Sequence, residues 1–227
     1  MHIPEGMLNG TVCPVTIAAG TAAIAGAAYF AMKSSEKPGV KKFALTAMVI
    51  FALQMMNFPV TNGTSGHFLG GAFAAFALGV PFGTVAMALV VAVQAVLFGD
   101  GGITALGANI LNMAIIGTVV PGVIMEFAKN RGFSKVIVAS AAAWVSIVAA
   151  SFVYALEIGA SGIIDTGKAV TAMTSVHALI GIAEIAITAV LCYMVSKGEF
   201  FGKNAVLLAA VTAVVSPFAN SNPDGLE

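Results

Sequence analysis

The chain has 227 residues, 59% of them hydrophobic and only 9% charged, with a mean hydropathy of +0.99. Soluble domains carry about 25% charged residues, so ten Lys+Arg and ten Asp+Glu cannot coat a water-soluble globule of this size. The balanced charge leaves no basic surface for nucleic acid. The two cysteines, Cys13 and Cys192, form neither a disulfide framework nor a CxxC site.

Apolar runs near bilayer-spanning length follow one another along the chain, which predicts an all-α, polytopic membrane helical bundle. In order, they are Thr11 to Met32, Phe43 to Phe58, His67 to Val80, Thr84 to Phe98, Ile103 to Ala128, Val136 to Glu157 and Thr171 to Ser196. A shorter run, Asn204 to Phe218, makes the expectation seven or eight transmembrane helices. The third and fourth runs cover only about 21 to 23 Å at 1.5 Å per residue. Helices that short must be wrapped by neighbours or line a cavity. Pro81, Phe82 and Gly83 read as the tight turn between them.

Alternating sides of the membrane place nine of the ten Lys and Arg on one face and Lys168 alone on the other. The positive-inside bias then puts the N-terminus outside, together with the loops Pro59 to Gly66, Gly99 to Gly102 and Ile158 to Val170. Met1 to Gly10 contains no Lys or Arg and includes Glu5, so it does not read as a signal peptide. His2 is too large to favour removal of Met1. No Walker A pattern occurs, so the chain does not hydrolyse ATP by that route. The small residues of the first run (Ala18, Ala19, Gly20, Ala22, Ala23 and onward) suit close helix approach, either inside the bundle or against a membrane partner.

The three histidines, His2, His67 and His177, all fall at or near the outer face. A histidine at position two offers a metal the Met1 α-amine, its own backbone amide and its imidazole Nδ1. Amine and amide close a five-membered chelate, and amide and Nδ1 a six-membered one. One further imidazole completes a square of nitrogens, which suits Ni(II) or Cu(II) rather than tetrahedral Zn(II). His67 follows the polar loop Thr61 to Gly66, with Ser65 in it, and is the natural fourth ligand. Its competing reading is a histidine at a helix start, bonded to a loop carbonyl.

Polar groups inside apolar runs are costly and usually functional. His177 and Glu184 lie seven apart on one helix face, about 10 Å along the axis. Asn109 and Asn112 share a face of the fifth run, and Asp100 sits in Gly99-Asp100-Gly101-Gly102. His177 reads either as an alternative ligand or, preferred here, as a partner to a ligand. Interhelical hydrogen bonding is the favoured role for Asn109, Asn112 and Glu184. The eleven methionines show no MxxM clustering and read as packing residues.

Met1-His2-Ile3-Pro4-Glu5-Gly6-Met7-Leu8 resembles the MHIxEGxL start of the CbiM/NikM family. Further blocks carry the same resemblance: Gly63 to Gly71, Gln94 to Gly102, Gly107 to Ala114 and His177 to Gly181. Together they cover most of residues 1–196. The resemblance implies the substrate-binding component of an energy-coupling-factor (ECF) transporter, a transport subunit rather than an enzyme. It implies capture of Ni2+ or Co2+ as transported substrate at the extracytoplasmic face of a prokaryotic cell (inner) membrane, with no organic cofactor. The metal would lie on the Met1 amine, His2 and His67, with Ser65, Asp100, Asn109, Asn112, His177 and Glu184 as candidates around them. The implied partners are a transmembrane scaffold (T/Q component), cytoplasmic ATP-binding cassette ATPases (A/O component) and a small N component, in membrane lipid. Residues 1–196 would form the metal-binding membrane domain. Residues 197–227, ending in Pro223-Asp224-Gly225-Leu226-Glu227, resemble the start of a fused N component. The competing expectation is a stand-alone, proton-coupled secondary metal transporter using Glu184 and His177.

Overall fold

The structure, a computed structural model, describes residues 1–60 and 64–202, with no side-chain description for 58–65. The run Asn204 to Phe218 and the tail after it lie outside the described residues. Within them the regular secondary structure is helical apart from one short hairpin. The helices are α1 (Val12–Lys33), α2 (Val40–Gln54), α3 (Gly71–Leu78), α4 (Val80–Phe98), α5 (Leu106–Asn109), α6 (Gly117–Ala128), α7 (Lys135–Ala160), α8 (Thr166–Ser196) and α9 (Glu199–Gly202). A π-helical turn, Ile110–Ile116, joins α5 to α6. Five segments are long and apolar enough to cross a membrane: α1, α4, the continuous helical run Leu106–Ala128, α7 and α8.

At the centre lies α3, which packs against α4, α6, α7 and α8. Seven of its eight residues are buried, so a helix of about 12 Å is enclosed by its neighbours. This is how a segment too short to span is accommodated. α7 and α8 form the most extensive helix pair, while α1 lies at the edge and buries only Thr16, Gly20 and Ala31. At Gly20 an added Cβ would stand 2.7 Å from the Gly107 carbonyl oxygen, so part of the small-residue run of α1 serves internal packing.

Several boundaries differ from the sequence reading, each for a local reason. The turn between the third and fourth segments is at Gly79 (φ +78°), not at Pro81 to Gly83. Pro81 belongs to the first turn of α4, where its missing N–H costs nothing. α2 stops at Gln54, before Phe58, because Phe58–Val60 pairs antiparallel with Thr64–Gly66, Pro59 opposite Ser65. His67 therefore does not begin a helix. It lies in a strap, His67 to Gly70, that ends at Gly70 (φ +79°) ahead of α3. α8 begins at Thr166 rather than Thr171, since the Asp165 carboxylate caps it by accepting Lys168 N–H at 3.0 Å.

The N-terminal segment is not a loose end. Met1 and Ile3 are fully buried and His2 is 2% exposed. Ile3 N–H donates to Asn109 Oδ1 at 2.7 Å, and the Ile3 carbonyl accepts from Asn109 Nδ2 at 3.2 Å and Gly102 N–H at 2.8 Å. The terminus is thus held by the loop after α4 and by the helix that follows.

Candidate metal site at the buried N-terminus

Three lengths of chain converge on the buried terminus. Residues 1–3 come from the N-terminal segment, Gln94 and Asp100 from the end of α4, and His67 from the strap. α4 ends where Gly99 turns left-handed (φ +65°), and Asp100 N–H then donates back to the Gln94 carbonyl at 3.0 Å. This turn sets Gln94 and Asp100 beside His2. The His2 Nε2 pairs with Gln94 Oε1 at 3.1 Å. Its Nδ1 lies 3.3 Å from Asp100 Oδ1, but out of line for a hydrogen bond, and has no hydrogen-bond partner among the described residues. Asp100 Oδ2 accepts from Asn57 Nδ2 at 3.0 Å, which fixes the carboxylate.

His67 is fully buried, its ring centroid 4.6 Å from that of His2. The strap that carries it is clamped on both sides. Glu184 Oε2 and Oε1 accept Leu69 N–H at 2.7 Å and Gly70 N–H at 2.8 Å, while Gln54 Nε2 donates to the Leu69 carbonyl at 2.6 Å. Nδ1 of His67 donates to the Phe68 carbonyl at 2.7 Å, so its Nε2 carries the lone pair, and no described residue meets it. The competing expectation of a carbonyl-bonded histidine is therefore met at one ring nitrogen and leaves the other open. His177 repeats the pattern: fully buried, Nδ1 on the Met173 carbonyl at 2.7 Å, Nε2 without a hydrogen-bond partner.

Burial dominates the electrostatics. It pushes the Met1 α-amine from 8.0 down to about 4, against the opposing pull of Asp100. Desolvation likewise lowers His2, with the neighbouring terminal charge adding to it. His67 falls well below the usual histidine range through burial first, then through the charges that the amine and His2 would carry. A charge on His177 is felt there as well, so the amine, His2 and His177 all lie within electrostatic reach of His67. At neutral pH the amine and both of these imidazoles are uncharged and present lone pairs. Glu5, by contrast, is exposed. Hydrogen bonds from the Thr104 hydroxyl and N–H hold its carboxyl below the usual range and dock the segment's rim.

Of the residues singled out from sequence, Met1, His2, His67, Asp100 and Asn109 belong to this cluster, Glu184 lies behind the strap, and His177 stands on α8 with its ring on the Met173 carbonyl. Asn112 is elsewhere engaged: from the π-helical turn it donates to Glu157 Oε2 at 2.5 Å. The backbone of Ser65 lies in the hairpin, and its side chain is among those not described. Sequence reasoning missed Gln94, Gln54, Asn57 and Glu157 as participants. The signal for Glu157, Gln94 and Gln54 was the one used for Glu184, a polar group in an apolar run; nothing local marked Asn57. No group of three or more His, Cys, Asp or Glu side chains is arranged to hold a metal among the described residues. A cation here must draw on backbone nitrogen.

Helices of this length and composition around a polar, nitrogen-rich cluster at one chain end define an integral membrane protein with a buried polar cluster at its N-terminus. The family model described as the cobalt uptake substrate-specific transmembrane region matches residues 2–199, and the chain belongs to this CbiM family. It is similar, at 37% identity over 96% of its own length and 75% of the relative's, to an Archaeoglobus fulgidus protein named as a fused nickel transport protein, NikMN. A Haloquadratum walsbyi protein named for metal transport is 37% identical over 83% of this chain and 87% of its own. The crystal structure of a transition metal transporter superimposes with a TM-score of 0.82 at 31% identity, covering 93% of this chain and 98% of that one. The relatives are named for metal transport, and the chain is a membrane protein of this cobalt-uptake family.

Proposed function

We propose that the chain is the substrate-binding subunit of an ATP-driven ECF transporter and captures Ni2+ or Co2+ at the extracytoplasmic face. The ion is held by the Met1 amine, the His2 amide nitrogen, His2 Nδ1 and His67 Nε2. The observation that carries this reading is which ring nitrogens are free. In a metal site each ligating imidazole has its other nitrogen tied by a hydrogen bond. His2 has Nε2 on Gln94 and leaves Nδ1 open, the nitrogen that closes a six-membered ring with its own amide. His67 has Nδ1 on the Phe68 carbonyl and leaves Nε2 open. The buried amine needs no deprotonation at neutral pH.

The charge bias of the loops supports an outward N-terminus, in a prokaryotic cell membrane. Release inward is driven by a transmembrane scaffold and cytoplasmic ATPases, with residues 197–227 beginning an N component. Ser65, Asp100, Asn109, Asn112, His177 and Glu184 shape or support the site, Asn112 at a distance through Glu157. A stand-alone proton relay through Glu184 and His177 gains no support from the geometry, because both Glu184 oxygens accept backbone N–H groups.

The test is Ni2+ and Co2+ binding, by calorimetry and visible absorption, to the purified chain with a native Met1 terminus. The comparison is the chain extended by one residue ahead of Met1, together with His67→Ala. Binding lost in both altered forms is expected. Equal binding by the extended form refutes the terminal chelate. Metal uptake into vesicles that requires the scaffold, the ATPases and ATP checks the transport assignment; uptake by this chain alone refutes it.

A further inference from the structure

A cation bound by the terminal nitrogens must first reach them, and they are closed off. Met1 and His67 are fully buried and His2 is 2% exposed. Gln94 and His67, which flank the His2 ring, are fully buried, whereas the Asp100 side chain keeps 17% exposure. Its two oxygens face opposite ways. Oδ2 accepts from Nδ2 of the exposed Asn57 at 3.0 Å, and Oδ1 lies 3.3 Å from the open Nδ1 of His2. One carboxylate thus links the protein's surface to a buried lone pair.

Orienting His2 is not what this carboxylate does. The ring is held at Nε2 by Gln94, and Nδ1 makes no hydrogen bond with Asp100. The spacing is instead that of two neighbouring donors of one ion. With bonds of about 2.1 Å to each, an ion between atoms 3.3 Å apart subtends about 100°. An ion in transit keeps water on its remaining positions and needs no larger cluster of side chains. The cover over the ring is otherwise bare backbone. Gly101 (φ +100°) lies so close that an added Cβ would stand 3.3 Å from His2 Cδ2 and 3.0 Å from Asn109 Nδ2. The loops that the charge bias places on this face, with the N-terminal segment, carry Glu5, Asp100 and Asp165 against Lys168 alone. A field of that sign raises the local concentration of cations.

We propose that Asp100 is the entry ligand of the transported ion: its carboxylate takes the hydrated divalent cation from water and hands it to His2 Nδ1, and it stands outside the finished plane of nitrogens. The inference rests on the terminal chelate proposed above. Asp100 therefore governs how fast the ion is captured rather than how the captured ion is held.

The experiment is stopped-flow absorption of Ni2+ binding to the full chain with a native terminus in detergent, over a series of ionic strengths. Dissociation is read separately, by dilution into excess chelator. Asp100→Asn keeps an amide oxygen for Asn57 and removes the charge; metal-free thermal melting reports its fold. Its association rate is expected to fall at least about tenfold, the lower end for electrostatic steering, and to lose most of its salt dependence. Its dissociation should be no faster, and the visible bands of the loaded protein should not move. Asp100→Glu should recover most of the association rate. An unchanged association rate in Asp100→Asn overturns the proposal. So does faster dissociation with shifted bands, which would make Asp100 part of the finished site, and so does an Asp100→Glu protein no faster than Asp100→Asn. Equal capture by the parent chain extended ahead of Met1 would instead mark a failure of the terminal chelate itself.

Discussion

The clamp on the strap makes a sharp prediction at Glu184. Its two oxygens are the acceptors for Leu69 N–H and Gly70 N–H, at 2.7 and 2.8 Å, and the side chain is 1% exposed. Glu184→Leu keeps an apolar volume there and removes both acceptors. Each unpaired buried N–H costs about 1–3 kcal/mol, so the loss is about 2–6 kcal/mol. For a chain of this size, at roughly 2–4 °C per kcal/mol, melting in detergent should fall by roughly 5–20 °C. Glu184→Gln retains one carbonyl oxygen and should lose about half as much. Because His67 lies two residues before Leu69, both variants should also bind Ni2+ more weakly, the leucine variant more so. Calorimetric titration beside thermal melting reads both effects. A Glu184→Leu protein that melts within about two degrees of the parent, with the same Ni2+ affinity, would refute the clamp as the device that holds His67.

Three further outcomes follow from the site. Gln94→Leu strips His2 Nε2 of its partner at 3.1 Å and should weaken Ni2+ binding about 10- to 100-fold, with the apo fold intact by circular dichroism. Gly102→Ala would place a Cβ 2.7 Å from Glu5 Cα, so the N-terminal segment must shift; metal affinity should drop while melting of the helices changes little. The lowered amine fixes the pH dependence. With the docked amine titrating at about 4 rather than 8.0, it is already neutral between pH 6 and 8. Ni2+ then displaces only the amide proton, and affinity should rise about tenfold per pH unit, steepening toward pH 4 as the amine also takes up a proton. Calorimetry in buffers of different ionisation heat counts the protons; two released near pH 7 would contradict a neutral amine.

How much of this was legible in the sequence depends on the range of the interaction concerned. The membrane class came from composition. The polar positions that matter stand out because each interrupts an apolar run: His177, Glu184, Asn109 and Asn112 needed no fold to be noticed. The proposed terminal chelate is also local, since the amine, the amide and the imidazole of His2 are joined by covalent bonds and their ring sizes follow from connectivity alone. Small local features, by contrast, misplaced several boundaries. Gly79 turns the chain two residues before Pro81, which α4 absorbs, and the pairing of Phe58–Val60 with Thr64–Gly66 moves His67 off a helix start and onto a strap.

Partners were decided by packing. His2 meets Gln94 and Asp100 across more than ninety residues, Ile3 is held by Asn109, and Leu69 by Glu184 at a separation of 115. Periodicity places a residue on a face of its own helix but does not say which face of which other helix it meets. That choice rests on how the short α3 is enclosed and how closely small residues such as Gly20 let backbones approach. For the same reason Asn112, which the sequence places on one face with Asn109, finds Glu157 rather than the terminus: the π-helical turn that carries it changes the direction of the side chains after Asn109. Sequence by itself determined that this is a membrane protein with a nitrogen-rich terminus, because burial of apolar runs and chelate ring size are local properties. Only the tertiary structure decided which lone pairs remain free within it, because a hydrogen bond to a ring nitrogen is made or missed by the packing of distant helices.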